Sequence, residues 1–286
     1  MSSSGQYSPM LSDTRSVKEP SPIGLLGGSG LCSIPHLVVT ETREVITSYG
    51  APSAPVTLGT IDGVPVAFIP RHGPEHTILP HKVPYKANLA ALQQLGVRYV
   101  FATCVVGSLK KDVLPGWFVV PDQFINFTWG RDDTSAVDSQ VIHLPMAHPY
   151  CVNLRMVIVR ELHKLRFAHA DRGTVVVIQG PRFSTIAESR MFAQLGGDIV
   201  NMTQYPECYF ARSLGMCYAA VVSVTDYDVG VPSDLAMEAT SMEKVLAIFH
   251  ANTGKTHQLL SNLVSAAYQN MACDCARRRI DEYYKS

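Results

Sequence analysis

Thr225-Asp226-Tyr227-Asp228 closes an uncharged, Val-rich run from Met216 to Val224. Such a run reads as a strand buried on both faces, the kind found inside a parallel sheet. Two carboxylates at its carboxyl end stand where open α/β sheets place their ligand crevice. Their spacing of two sends both side chains to the same side of an extended segment. Close acids repel, and burial disfavours charge, so one of the pair can keep a proton near neutral pH and act as a general acid. The competing reading is a strand-end Asx turn with two solvated carboxylates.

Other predicted strands also end in residues suited to chemistry. Gly27-Gly28-Ser29-Gly30 can offer backbone N–H groups and a hydroxyl to an anion. It lacks the further glycine and the later acidic residue of a dinucleotide fingerprint, and a plain tight turn accounts for it equally well. Arg71 carries a permanently charged planar fork that fits phosphate. His72 beside it is more often a structural donor than a base. Cys104-Val105-Val106-Gly107-Ser108 brings further N–H groups. Cys104 itself has no His–Asn pairing signature and reads as a small buried filler. Phe183, at a predicted helix entrance, can stack on a flat heterocycle or simply pack in the core. Asn201-Met202-Thr203 adds an amide, a soft apolar contact and a hydroxyl. Anion donors, a stacking ring and paired acids together describe a site for phosphate, a sugar and a base.

The elements that must hold these residues alternate strand and helix. Predicted strands cover 22–26, 64–70, 97–106, 117–120, 174–178, 198–201 and 216–224. Predicted helices cover 84–95, closed by Gly96, then 151–165, 184–195 with Ser184 or Thr185 as N-cap, 205–214 and 241–271. Residues 131–139 are charged and short of apolar side chains, which predicts an exposed loop. The alternation predicts α/β class: one domain with a central mixed sheet flanked by helices. The domain is expected over 23–271, after a Ser- and Pro-rich disordered lead-in at 1–22 and before a tail at 272–286.

Of the 286 residues, 47% are hydrophobic and only 17% charged, so a sizeable core is easily built. The 24 basic and 24 acidic residues cancel, which leaves no electrostatic footprint for nucleic acid or an anionic membrane. Low surface charge suits an oligomer. No apolar run reaches the length of a spanning helix, and no signal core is present, so a cytoplasmic protein is expected. The seven cysteines are odd in number and scattered, which argues against a disulfide framework. Cys273-x-Cys275 has no second Cys or His pair beside it in sequence, so no structural metal is expected.

Eight ordered blocks resemble the 5′-methylthioadenosine phosphorylase branch of the trimeric purine nucleoside phosphorylases. They are Gly27 to Gly30, Arg71-His72-Gly73, His76-Thr77, Val106 to Leu109, Pro121 to Phe124, Gly180 to Ser184, Asn201-Met202-Thr203 and Thr225 to Asp228. The resemblance runs from about Ile23 to about Leu260. It implies phosphorolysis of a purine nucleoside to free base and an α-ribose-1-phosphate, in a homotrimer, with phosphate as co-substrate and no metal or organic cofactor. It assigns Ser29, Arg71, His72, Cys104, Val105 and Thr203 to phosphate, Phe183 to stacking on the base and Met202 to the ribose. Asp226 and Asp228 match the base-recognition acids, with Asp226 assisting the leaving purine at N7.

Aspartate at 226 and serine at 184 point to 6-aminopurines, because the 6-oxopurine branch resembles asparagine and glutamate there. Met242, Val245 and Leu246 are apolar where the 5′-hydroxyl-binding branch has a histidine, which suits a 5′-methylthio group. His76 matches a 5′-side position, and His143 matches a residue reaching a neighbouring subunit's site. Two departures stand out. Cys104-Val105 replaces the Thr-Ala that animal members resemble, and the stretch from Val229 to Thr240 is a few residues longer than in them. The alternatives are a broader phosphorylase taking adenosine, inosine or 5′-methylthioinosine, or a non-catalytic nucleoside-binding relative.

Overall fold

The computed structural model describes residues 21–28, 31, 34–134, 143–231, 242–270, 273 and 275, with the backbone alone at 242–246 and 270. Apart from Ser21 and Pro22, the expected lead-in lies outside the described residues. So does the expected tail, except for Cys273 and Cys275.

Among the described residues an eleven-stranded mixed sheet forms the centre. Its strands are β1 (Ile23–Gly27), β2 (Val38–Arg43), β3 (Val56–Ile61), β4 (Val64–Pro70), β5 (Tyr99–Ser108), β6 (Phe118–Val119), β7 (Gln123–Phe127), β8 (His169–Ala170), β9 (Thr174–Ile178), β10 (Ile199–Asn201) and β11 (Cys217–Tyr227). The helices are α1 (Tyr85–Gln94), α2 (Val152–Leu165), α3 (Ile186–Gln194), α4 (Gln204–Ser213) and α5 (Met242–Asn270). Among the described residues no helix is long and apolar enough to cross a membrane.

The long apolar run becomes β11, as its composition requires. It pairs parallel to β5 along its length and antiparallel to β6 near its middle. Alternate residues feed two cores. Tyr218, Ala220, Val222 and Val224 pack with Leu89, Leu92 and Phe210 of α1 and α4. Cys217, Ala219 and Val221 pack on the opposite face with Leu154, Ile158, Leu260 and Leu263 of α2 and α5. A strand covered on both sides has no face for water, which is why it shows no polar alternation. Thr185 caps α3 through a full capping box with Glu188, one of the two N-caps the sequence allowed.

The pairing of β5 fixes where a ligand can enter. One edge of β5 runs along β11 from Tyr99 to Ser108. The other edge pairs with β1 only at Tyr99–Ala102 and with β10 only at Gly107 and Ser108. Residues 103–106 therefore have no strand neighbour on that edge, and β1 and β10 diverge around them. The sheet opens there at a switch in strand order, the place where α/β folds bind ligands.

Four strands escaped the sequence reading: β2, β3, β7 and β8. β2 is exposed at every residue, so it carries no hydrophobic alternation. β7 is only half-buried, and β8 is two residues long. The exposed loop predicted at 131–139 is found at 132–134 and needs correction at Arg131. Arg131 is half-buried and heavily hydrogen-bonded, because a charge can be taken inside when backbone carbonyls converge on it. Residues 135–142 lie outside the description.

Candidate active site

At the opening in the sheet lies a cavity of about 500 Å³, within the range of small-molecule sites. Its walls are strand ends and the turns that follow them. His72 and His76 come from the turn after β4; Cys104, Val105, Val106 and Gly107 from the open edge of β5. Phe183 and Ser184 stand before α3, Met202 and Thr203 after β10, and Asp226 and Asp228 at the end of β11. The structure thus gathers most of the sequence-selected residues around one space.

The two acids converge as their spacing predicts, although a bulge in the β5–β11 register falls between Val224 and Asp226. A Cβ on Gly107 would lie 3.5 Å from Asp228 Cβ and 3.6 Å from Asp226 Oδ2, so both acids pack against a residue with no side chain. Burial pushes Asp226 up to about 6; the Thr225 hydroxyl, donating to Oδ1 at 2.7 Å, opposes this and Asp228 adds to it. Burial therefore outweighs the mutual repulsion expected from the sequence. Asp228 is also raised, chiefly by burial, with Ser189 and Ser184 close enough to temper the effect. Asp228 Oδ2 and Ser184 Oγ are both buried without a hydrogen bond. An unpaired acid oxygen and hydroxyl at one end of a mostly apolar cavity form a place for a polar ligand edge.

Arg71 takes a different position from the one its chemistry suggested. Its side chain is wholly buried and is not part of the cavity wall. Nε and Nη2 donate to Glu207 Oε2 and Oε1 at 2.5 and 2.7 Å, and Nη1 donates to the Thr103 carbonyl at 2.9 Å. Burial opposes its charge, but Glu207 more than compensates, so the guanidinium is held firmly protonated. Tyr218 donates to the same carboxylate at 2.7 Å. The glycine turn lies directly on this group. A Cβ at Gly28 would come within 2.5 Å of the Thr103 oxygen and 2.8 Å of Arg71 Nη1, so only glycine allows the approach. Ser29, the hydroxyl expected in that turn, lies outside the described residues.

His72 is pushed down to about 4 by burial and by the Arg71 charge, so it is neutral at physiological pH. Its Nδ1 is 2.7 Å from the Ile78 carbonyl. A carbonyl only accepts, so Nδ1 carries the proton and Nε2 is left as an acceptor. The His76 ring lies 4.6 Å from that of His72, centroid to centroid. Cys104 accepts from Asn201 Nδ2 at 3.2 Å and Gln204 Nε2 at 3.5 Å. Burial lifts its thiol to about 11, which agrees with a filler and not a nucleophile. The amide of Asn201 is spent on this bond and on the N–H groups of Thr203 and Gln204.

Phe183 is 61% exposed, so it is no core residue; it stands at the mouth of the cavity. Met202 lies over Gly180, where a Cβ would come within 2.5 Å of its sulfur. His143 is exposed and does not line the cavity. The side chains of Met242 and Val245 lie outside the description. Phe249, further along α5, does line the cavity; it was legible only as one residue of an apolar helix face. Arg131 was missed altogether. It donates to the carbonyls of Tyr205, Gln179 and Met202 at 2.6 to 2.9 Å and to Gln179 Oε1 at 3.1 Å. It thereby ties the ends of β9 and β10 and the start of α4 into one wall.

The sequence matches the family described as the phosphorylase superfamily over residues 22–265, and the chain belongs to that superfamily. S-methyl-5′-thioadenosine phosphorylase of Pyrococcus furiosus is 45% identical over 254 residues, 89% of this chain and 96% of its own length. The enzyme of that name from Mycolicibacterium smegmatis is 47% identical over 253 residues, 88% and 93% of the two lengths. Methylthioadenosine phosphorylase from Schistosoma mansoni, solved with adenine, superposes with a TM-score of 0.84 at 33% identity, covering 90% of this chain and 96% of its own.

Two outcomes follow from the wiring. Arg131→Met leaves several carbonyls without their donor and should destabilise the fold by about 2–3 kcal/mol, read as a lower urea midpoint. Asp226 has a folded pKa above its unfolded value. Its protonated form therefore favours folding at pH below about 4, and that contribution is lost as pH rises through about 6. Urea unfolding between pH 4 and 7 should show this loss in the parent and not in Asp226→Asn; identical pH profiles would contradict the burial of Asp226.

Proposed function

We propose that this phosphorylase-superfamily chain catalyses phosphorolysis of 5′-methylthioadenosine to adenine and 5-methylthio-α-ribose-1-phosphate. The observation that carries the reading is the acid end of the cavity: Asp226 poised near pH 6 beside the unpaired Asp228 oxygen and Ser184 hydroxyl. The names of the relatives and the adenine in the Schistosoma structure support it from outside the chain.

In this reading the purine lies between Phe183 and Met202 with its N6 and N7 edge toward the acids. A carboxylate accepts from a 6-amino group, and a carboxylic acid donates to N7. As the bond from C1′ to N9 breaks, its electron pair moves into the purine, and protonation at N7 by Asp226 makes the base a better leaving group. The ribosyl carbon gains oxocarbenium character and is captured by a phosphate oxygen, which forms the new C1′–O bond.

Phosphate occupies the open edge of β5 near Cys104, Val105 and Thr203, with His72 beside it, and Ser29 is assigned to phosphate from the resemblance. Arg71 stands behind that wall, its charge balanced by Glu207 and three of its five N–H donors already committed. Neutral His72 presents Nε2 as an acceptor, which suits the hydroxyl of monohydrogen phosphate. At the other end of the sugar, Phe249, Ile78 and Leu79 line the cavity and favour an apolar 5′ group over a hydroxyl. His76, Met242 and Val245 belong to that end in the same reading. Neither a metal nor an organic cofactor takes part in the step. The working form is a cytoplasmic homotrimer in which His143 approaches a neighbouring subunit's site.

Base release should depend on phosphate. Equal rates with and without it would assign the chain to hydrolysis. Asp226→Asn should lower turnover on methylthioadenosine roughly 10- to 1,000-fold and raise the relative rate on inosine, since an amide donates to O6 where a carboxylate does not. The measurement is the ratio of kcat/KM for 6-amino over 6-oxo substrates. A parent that prefers inosine would overturn the reading of the acids, and one that takes adenosine as readily as methylthioadenosine would overturn that of the 5′ slot. Light scattering should give a trimer; a fully active monomer would remove His143 from the site.

A further inference from the structure

Far from the cavity, the fold assembles four cysteines that the sequence scatters. Cys151 stands at the N-cap of α2 and Cys217 opens β11, while Cys273 and Cys275 follow α5 and pack on the same core. No second ligand pair accompanies Cys273-x-Cys275 in sequence, but the starts of α2 and β11 supply one in space. All four Sγ atoms lie within 4.8 Å of one another, with Cys151 to Cys273 at 3.5 Å and Cys273 to Cys275 at 3.1 Å.

We infer that Cys151, Cys217, Cys273 and Cys275 form a closed four-thiolate site for a structural zinc ion. These separations bracket the edge of a sulfur tetrahedron drawn around zinc, roughly 3.8 Å for a bond of about 2.3 Å. They are well beyond the roughly 2.05 Å of a disulfide. An all-sulfur set selects a soft, tetrahedral cation, and four protein ligands leave no position for substrate. The surroundings suit thiolates. The Leu154 N–H donates to Cys151 Sγ at 3.5 Å, so the N-terminal end of α2 faces the developing charge.

The site would staple the segment after α5 to the starts of α2 and β11. Cys217 and Asp226 sit at opposite ends of β11, about 30 Å apart at strand rise, so zinc here holds the fold and takes no part in the reaction. Its binding releases the thiol protons to solvent and changes no oxidation state.

The test uses the full chain purified with reductant. Elemental analysis should find about one zinc per chain, and cobalt(II) added to the stripped protein should give thiolate charge-transfer and tetrahedral d–d bands. Chelation should lower the unfolding temperature of the parent. Cys273→Ser/Cys275→Ser should hold almost no metal and ignore the chelator, whereas Cys275→His should keep its zinc. Reduced protein that takes up neither zinc nor cobalt would overturn the proposal. So would mass analysis showing the four thiols joined as disulfides in the native protein. Because the parent alone gives the metal content and the cobalt spectrum, a variant that fails to fold leaves the test intact.

Discussion

The ion pair between Arg71 and Glu207 is the contact on which the site depends. Both side chains are essentially without solvent. Taking two charges from water costs several kcal/mol each, offset only by close geometry and further hydrogen bonds. Here the geometry is bidentate, and Tyr218 and the Thr103 carbonyl supply the further bonds. The consequence is positional. The pair connects the turn after β4, the open edge of β5, helix α4 and strand β11, so the strands that carry the cavity walls cannot move independently. Ser53 extends the connection by donating to the Arg71 carbonyl and exchanging hydrogen bonds with Asn88 of α1. Removal of either charge would strand the other, at a cost of about 3–5 kcal/mol.

Around that anchor the sheet divides the work. The stretch of β5 at 103–106, unpaired on one edge, faces the glycine turn and the buried cation, while the bulged end of β11 carries the acids. Gly28 is a place where the backbone itself must form the wall, and Gly107 lies in contact with the acids. At Gly28 the guanidinium would meet any Cβ, and at Gly107 a Cβ would touch the Asp226 carboxylate and the Asp228 Cβ. Polar chemistry is thus concentrated at two ends, with Met202, Phe249 and the Val105–Val106 edge between them. A ligand with a polar base, an apolar substituent and a separate anion fits such a division better than a uniformly polar one.

What the sequence could reveal depended on how local the physical cause was. The burial of β11 was legible because its run of uncharged, mostly apolar residues from Met216 to Val224 offers water no polar face on either side. The capping box of α3 is likewise contained within Thr185 to Glu188. The acids were legible because they follow directly on that strand. Arg71 was recognised as a charge but not as an internally paired one, since Glu207 lies 136 residues away and nothing local marks it as a partner. Arg131 looked like loop because its partners are carbonyls, which leave no trace in residue type. The convergence of Cys151 and Cys217 on Cys273 and Cys275 was hidden for the same reason: long-range register brings them together.

In the proposed reading the site accepts an anion without a net positive field. Arg71 is cancelled by Glu207, His72 is neutral, and Asp226 is held partly protonated by burial. The whole chain is formally neutral as well, so long-range steering of a dianion is weak. In the proposed reading, recognition comes from groups at contact distance: backbone N–H groups along 104–106 and the hydroxyl of Thr203, both on the cavity wall. Such donors favour charge most once water is excluded. A partly protonated acid at the base end serves the same purpose. An ionised Asp226 would repel both the phosphate and the electron-rich leaving purine, whereas a protonated one repels neither and has a proton to give. Burial of Asp226, rather than its closeness to Asp228, is therefore the property that makes the two ends of the cavity compatible.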